Sequence, residues 1–100
     1  MSRSKSYQED LSASLKNSKE AAAYLNAALE NGDPEVFLLA LRDVAEARLG
    51  GMTKVAQKTK LNRESLYRML SEKGNPELNS LSTLLDALGF KIVVEMKKAS

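Results

Sequence analysis

The sequence contains neither cysteine nor histidine among its 100 residues. Without cysteine the chain can form no disulfide bond and has no thiol nucleophile, and without both residues it lacks the ligands of most zinc, copper and iron sites. The absence of histidine also removes the commonest general base at neutral pH. We therefore expect no catalytic residues, no cofactor and no metal ion, and we predict that the protein is not an enzyme.

Aromatic residues are scarce, since the chain has three tyrosines, two phenylalanines and no tryptophan. The core must then consist mainly of leucine, alanine, valine and methionine, as in small helical domains. A hydrophobic fraction of 43% with 28% charged residues is ordinary for a globular protein. A chain of 100 residues suits one compact domain, because two domains would each bury too little core.

Long hydrophobic runs are also missing. No apolar stretch approaches the ~18 residues that span a bilayer. The polar start of the chain is not followed by the apolar segment of a signal peptide. These features predict a cytoplasmic protein without a membrane partner.

Positive charge is concentrated in one short segment. Residues 1–50 hold six basic and eight acidic side chains, whereas residues 51–100 hold nine basic and five acidic ones. Residues 53–74 alone contain six of the basic side chains and two of the acidic ones. Such a local excess attracts phosphate and is typical of nucleic-acid-binding proteins, although a solvated helix face carries charge in the same way.

Capping residues and apolar spacing predict five helices. Asp33 and Pro34 are typical of a helix start, and Gly32, Gly50 and Gly89 are typical of helix ends. The predicted helices cover about residues 17–31, 34–49, 52–59, 63–71 and 80–88.

The two ends of the chain are predicted to differ from its helical middle. We assign residues 1–16 to an N-terminal tail or short element, residues 17–96 to the folded domain and residues 97–100 to a tail. Within the first of these, residues 7–16 suit either a short strand or a helix. Apolar and polar side chains alternate over residues 90–96, which predicts a half-buried β-strand. Its partner is either residues 7–16 or the same strand of a second copy, because a strand needs a partner for its backbone groups.

The helix predicted at residues 63–71 has two chemically different sides. At 100° per residue, one side is wholly apolar and the other combines cations, a carboxylate and a phenol. The apolar side consists of Leu66, Met69 and Leu70, and the polar side of Arg63, Glu64, Tyr67 and Arg68. Arginine can pair with guanine, glutamate with cytosine, and tyrosine with a phosphate or a thymine methyl group. The polar side therefore predicts a helix that reads DNA.

The preceding helix, over residues 52–59, is predicted to brace the reading helix. The small Ala56 permits a close helix crossing, and Thr53 and Lys54 lie at a helix start, where phosphate oxygens bind. The predicted fold is thus a mainly α, five-helix, repressor-like helix-turn-helix domain with a C-terminal β-strand. The predicted DNA-binding residues are Thr53, Lys54, Lys58, Lys60, Asn62, Arg63, Glu64, Tyr67, Arg68 and Lys73.

Four blocks of the sequence carry a resemblance to a known family. They are AAYLNAALE at residues 22–30, ALRDVA at 40–45, NRESLYR at 62–68 and SEKGNP at 71–76. In this order they resemble the bacterial addiction-module antidote proteins, which are antitoxins with a helix-turn-helix of the phage-repressor type. The resemblance covers roughly residues 8–96.

The resemblance implies a toxin partner and a repressor role. Proteins of this family are typically encoded beside a small toxin of the RelE/ParE kind, which they bind and neutralise. They repress their own operon, usually as homodimers on palindromic double-stranded DNA. The positions matched to the family's reading helix are Asn62, Arg63, Glu64, Tyr67 and Arg68. The resemblance offers no residue motif for toxin binding, which we assign to the N-terminal 30 residues.

One position departs from the family pattern. Repressor-type turns often have glycine where Lys60 stands, because that backbone position tends towards the left-handed conformation. The lysine predicts a slightly different turn.

Two other functions are compatible with the same residues. A stand-alone transcriptional regulator would bind DNA without a toxin partner. A helical protein-interaction module would use residues 63–68 to bind an acidic protein instead of DNA, and its affinity would depend less steeply on salt.

Overall fold

The structure is a computed structural model that describes residues 5–71 and 73–98. Within these residues the chain forms six α-helices and no β-strand. The helices are α1 (Lys5–Leu15), α2 (Ser18–Asn31), α3 (Pro34–Leu49), α4 (Met52–Thr59), α5 (Arg63–Met69) and α6 (Leu78–Leu88). The mainly α class is confirmed, and the five predicted helices correspond to α2 through α6. The outermost parts of the two predicted tails, residues 1–4 and 99–100, lie outside the described residues.

The prediction of five helices is wrong by one, because the ambiguous N-terminal segment forms α1. Alternation would place Leu11, Ala13 and Leu15 on one face, but Ala13 is exposed while Leu11 is half-buried and Leu15 is buried. Leu11 and Leu15 are four residues apart, so they share a face of a helix. Both belong to the packing around the core, and α1 lies against α2 and α3.

The predicted C-terminal β-strand is also wrong for the described chain, since residues 91–98 have no regular secondary structure. A strand needs a neighbour that takes up its N–H and C=O groups. One of the two partners considered, residues 7–16, is almost entirely within α1 and is helical. The chain is still anchored at Phe90, whose N–H donates to the Leu85 carbonyl at 2.8 Å and whose side chain packs against the core.

Local signals set the ends of α2 and α3. The Asn17 side chain accepts a hydrogen bond from the Glu20 N–H at 3.0 Å, and Gly32 ends α2 with a φ of 84°. Asp33 then caps α3 by accepting the Glu35 N–H at 2.9 Å. A side-chain cap of this kind stabilises a helix by about 1 kcal/mol, so the two helices start where the sequence predicts.

The central element of the fold is α3. It packs against α1, α2, α4 and α6, and its Leu41, Val44 and Ala45 are fully buried. In contrast, α5 is attached mainly through α4. This arrangement leaves α5 at the periphery with one side covered and the other side open to solvent.

Arg48, near the end of α3, joins three other helices. Its Nη1 donates to the Lys16 carbonyl at 2.9 Å. Its Nε donates to the Leu88 carbonyl at 3.2 Å, and its Nη2 donates to the Ser18 hydroxyl at 3.1 Å. Its guanidinium also lies over the Phe90 ring, 5.4 Å from the centroid. Carbonyls at helix ends have no partner within the helix, so Arg48 satisfies acceptors at the ends of α1 and α6.

Candidate nucleic-acid interface

The site begins with a tight turn between α4 and α5. Lys60 ends α4, where its N–H donates to the Ala56 carbonyl at 2.9 Å. Thr59 bridges the turn from inside: its hydroxyl donates to the Val55 carbonyl at 2.7 Å and accepts the Leu61 N–H at 3.2 Å. Because Thr59 is buried, these bonds are shielded from water and help to fix the direction in which α5 leaves α4.

Lys60 is the one non-glycine residue with a positive φ in the described part of the chain, at 61°. The turn therefore keeps the left-handed backbone position at which glycine is usual, although a lysine occupies it. A side chain with a Cβ costs about 1 kcal/mol in this conformation, because the Cβ approaches the following carbonyl oxygen.

We expect Lys60→Gly to raise the free energy of unfolding by about 0.5 kcal/mol, because the relieved strain outweighs the added freedom of the unfolded chain. Lys58→Gly is the matched control, since it removes the same charge from within α4 and should lower that free energy by about 1 kcal/mol. Urea unfolding followed by circular dichroism measures both variants. Equal destabilisation by the two substitutions would contradict the left-handed turn.

A cap and the core together hold α5 in place. The side-chain oxygen of Asn62 accepts the N–H groups of Glu64 at 2.8 Å and Ser65 at 3.2 Å. The three side chains predicted to be apolar anchors, Leu66, Met69 and Leu70, are all buried. With one side fixed in this way, the opposite side of the helix presents its polar groups to solvent.

Two arginines lie over the ring of Tyr67 on the exposed side of α5. The Cζ atom of Arg42 lies 5.6 Å from the Tyr67 ring centroid, and that of Arg63 lies 5.7 Å from it. Arg42 comes from α3, and its Nε also donates to Oε1 of Glu46 at 3.1 Å. Cation–π contacts of this kind restrict both guanidinium groups. The stack therefore adds a cation from α3 to the surface formed by α5.

A shallow groove lies between α5 and the loop that follows it, and its lining includes Ser65, Arg68 and Lys73. Gly74 keeps this loop close to the helix, because a Cβ added there would lie 2.2 Å from the Met69 carbonyl oxygen. A side chain at this position would force the loop away. Glycine thus holds Lys73 beside the C-terminal half of α5.

All ten residues predicted to bind DNA are exposed, and four of them border two different depressions. Arg68 and Lys73 border the groove beside α5, whereas Lys54 and Lys58 border a separate depression together with Gln57. By element, α4 carries Thr53, Lys54 and Lys58, the turn carries Lys60 and Asn62, α5 carries Arg63, Glu64, Tyr67 and Arg68, and the following loop carries Lys73. Their part in DNA binding stays a prediction.

Sequence reasoning missed two polar side chains at this surface. Arg42 meets Tyr67 only because the tertiary fold brings α3 and α5 together, and no local pattern reveals that contact. Ser65 is exposed on α5, and its hydroxyl accepts the Nη2 of Arg68 at 3.5 Å. The projection of this helix at 100° per residue places Ser65 beside Arg68 at the edge of the polar side, so the sequence could have predicted its exposure.

Residues 5–71 and 73–98 contain neither a metal-binding cluster nor a membrane-spanning helix. No group of three or more acidic, histidine or cysteine side chains in that range is placed to hold a metal ion. No helix in the same range is long and apolar enough to cross a membrane.

Comparison with known proteins adds a family and one relative. A family model described as "Probable addiction module antidote protein" matches residues 5–96, which include all six helices. A Haemophilus influenzae protein described as uncharacterized is 33% identical over 89 residues, and the match covers 89% of this chain and 90% of that protein. No solved structure matches the chain.

Proposed function

Because the chain belongs to the family of probable addiction module antidote proteins, we propose that it neutralises a cognate toxin and represses its own operon by binding DNA through α4 and α5. In this proposal the two helices act as a helix-turn-helix, and α5 is the reading helix. The observation that carries the DNA-binding part is the exposed polar side of α5, which is backed by three buried apolar side chains.

The chemistry of α5 suits base edges in the major groove. Arg63 and Arg68 offer the paired N–H groups that recognise guanine, and Glu64 accepts from the cytosine amino group. All three side chains are exposed on a helix that projects from the fold. A groove about 12 Å wide admits such a helix.

Contacts with the phosphate backbone would come from the surroundings of α5. Thr53 and Lys54 lie in the first turn of α4, where backbone N–H groups also favour an anion. The Tyr67 hydroxyl can donate to a phosphate, and Arg42 beside it adds a cation. We therefore add Arg42 to the residues expected to contact DNA.

The toxin is proposed to bind a different part of the molecule, within the N-terminal 30 residues. These residues belong mainly to α1 and α2, which pack on α3, whereas α5 is attached through α4. Tyr7 and Leu29 are large apolar side chains of this region that are 53% and 56% exposed. These two side chains are the apolar groups of this region that another protein could contact. A toxin of the RelE/ParE kind is the partner that we propose.

The DNA-binding proposal is tested by fluorescence anisotropy with the full-length protein. DNA from upstream of its own gene is compared with scrambled DNA across a salt series. We expect preferential binding to the upstream DNA. If Lys54, Lys58 and Lys60 of two subunits each neutralise a phosphate, log Kd should rise with log salt with a slope of about 5. Equal binding to both DNAs with a shallow slope would instead favour the protein-interaction module.

The toxin proposal is tested by co-expression with the product of the neighbouring gene. We expect the two proteins to co-purify and the growth arrest caused by the toxin to be relieved. The double variant Arg63→Ala with Arg68→Ala is the control, since it should lose operator binding and keep neutralisation. Operator binding without any complex with the neighbouring product would identify a stand-alone regulator instead.

A further inference from the structure

The segment that follows Phe90 is rich in exposed apolar side chains. Ile92 and Val93 are 49% and 64% exposed, and Val94 and Met96 are 92% and 95% exposed. Their backbone groups have no partner strand among the described residues. A segment that is rich in β-branched residues and has unpaired backbone N–H and C=O groups can pair with another strand.

We propose that residues 90–96 of two copies of this chain pair as antiparallel strands, with the two-fold axis at Val93. The resulting two-stranded ribbon would hold the dimer together. This inference rests on the proposed function in one respect: the dimer is taken to be the form in which the protein represses its operon. It goes further in naming the segment, the partner and the register.

Symmetry leaves few registers to choose between. In an antiparallel pair the two-fold axis is perpendicular to the ribbon, so each residue and its copy lie on the same face. Directly opposite residues also share a face, whereas consecutive residues of one strand alternate between the two faces. One residue must therefore lie opposite its own copy. Directly opposite side chains contact each other, so opposite charges there stabilise the pair and like charges destabilise it. The charges of the segment can therefore identify the register.

An axis at Val93 places Lys91 opposite Glu95 of the other copy, and this attractive pair occurs twice. An axis at Val94 places Lys91 opposite Lys97, which is repulsive. An axis at Glu95 places two carboxylates opposite each other, and an axis at Ile92 pairs no charges at all. An axis at Met96 also pairs opposite charges, Glu95 with Lys97, but it leaves Phe90 outside the paired segment. The Val93 register pairs opposite charges and includes all of residues 90–96, so complementarity favours a second copy as the partner in this alignment.

The apolar side chains agree with the same register. On the other face of the ribbon, Phe90 lies opposite Met96 and Ile92 lies opposite Val94, so every contact there is apolar. The first member of this row is fixed, because Phe90 packs against the core and lies under the Arg48 guanidinium. The apolar face of the ribbon therefore continues from the two cores, which gives a two-stranded element the support that it needs.

Symmetric cross-linking tests the register. Val93→Cys places two thiols opposite each other with Cα atoms about 5 Å apart, within reach of a disulfide. Val94→Cys is the matched control, because in this register its two Cα atoms are about 8 Å apart, beyond that reach. The natural chain has no cysteine, so each variant contains a single thiol. We expect mild oxidation to convert Val93→Cys into a covalent dimer and to leave Val94→Cys largely uncross-linked.

Charge exchange tests the pairing without covalent bonds. Lys91→Glu and Glu95→Lys should each weaken the dimer about tenfold or more, because two attractive pairs become repulsive. The double variant should restore wild-type dimerisation. Lys97→Glu should leave it unchanged, whereas an axis at Val94 would make this substitution tighten the dimer. Sedimentation of the full-length variants measures all four, and the side chains are exposed, so folding should not be affected.

The outcomes separate the ribbon from the proposed function. A Val93→Cys protein that binds operator DNA as a dimer but does not cross-link would overturn the ribbon and leave the repressor role intact. Cross-linking without any operator binding would support the ribbon and contradict the repressor role. A wild-type chain that is monomeric, with residues 90–96 protected only by the neighbouring gene product, would assign the segment to the toxin and also overturn the proposal.

Discussion

Replacing Arg63 and Arg68 together by alanine is expected to weaken binding to the operator by about a hundredfold or more. Each arginine that pairs with a base contributes about 1–3 kcal/mol, and tenfold in affinity corresponds to about 1.4 kcal/mol. Binding to scrambled DNA should weaken much less, because the lysines that are expected to contact phosphates remain. Both side chains are exposed on α5, so the melting temperature should be unchanged.

Lys58→Ala is the matched control for this loss. It removes a cation that borders a different depression from the groove beside α5 and that is expected to contact phosphates. It should weaken operator and scrambled DNA about equally and lower the salt slope by about 1 for each lost phosphate contact. The measurement is anisotropy on both DNAs with every variant. If the arginine variant lost affinity equally for both DNAs, direct reading of bases by α5 would be excluded.

Arg48→Ala is expected to lower the free energy of unfolding by about 3 kcal/mol, the largest effect on stability that we predict for a single side chain. It removes the hydrogen bonds to the Lys16 and Leu88 carbonyls and to the Ser18 hydroxyl, together with the contact over Phe90. Hydrogen bonds from a charged group contribute about 1.5–3 kcal/mol each when shielded, and partial exposure reduces that sum. For a domain of this size the melting temperature should fall by about 15 °C.

A second arginine on α3 provides the control. Arg42 forms a partly exposed pair with Glu46 four residues along the same helix, and such pairs contribute about 0.5 kcal/mol. Arg42→Ala should therefore leave the melting temperature nearly unchanged and weaken DNA binding. Arg48→Ala should lower the melting temperature and leave DNA binding unchanged at temperatures where the variant is folded. Calorimetry and anisotropy on the two variants give this comparison. Similar melting temperatures for both would contradict the bridging role of Arg48.

Features of the fold that depend on neighbouring residues were predictable from the sequence. The cap at Asp33, the stop at Gly32 and the two-sided pattern of α5 act within one or two turns, so the chain itself reveals them. The N-terminal helix was ambiguous because Leu11 and Leu15 satisfy both a period of two and a helical spacing. Only burial against α3 distinguishes the two periods.

Features that join distant parts of the chain were not predictable in this way. Arg42 and Arg48 lie six residues apart on α3, and nothing in the sequence around them indicates that one meets Tyr67 while the other binds the ends of α1 and α6. The C-terminal segment failed as a strand for a related reason. Its alternation describes a preference for extended structure, but the preference is realised only when a partner supplies the missing hydrogen bonds.

If α5 reads DNA as proposed, its cap restricts the base composition that the protein can specify. Asparagine identifies adenine by donating one hydrogen bond and accepting another. The side-chain oxygen of Asn62 already accepts two backbone N–H groups, so both of its lone pairs are in use and only its amino group can face a base. The side chains proposed to form hydrogen bonds with bases from α5 are two arginines and a glutamate, whose preferred partners are guanine and cytosine. The positions that these three side chains would contact should consequently be G·C pairs.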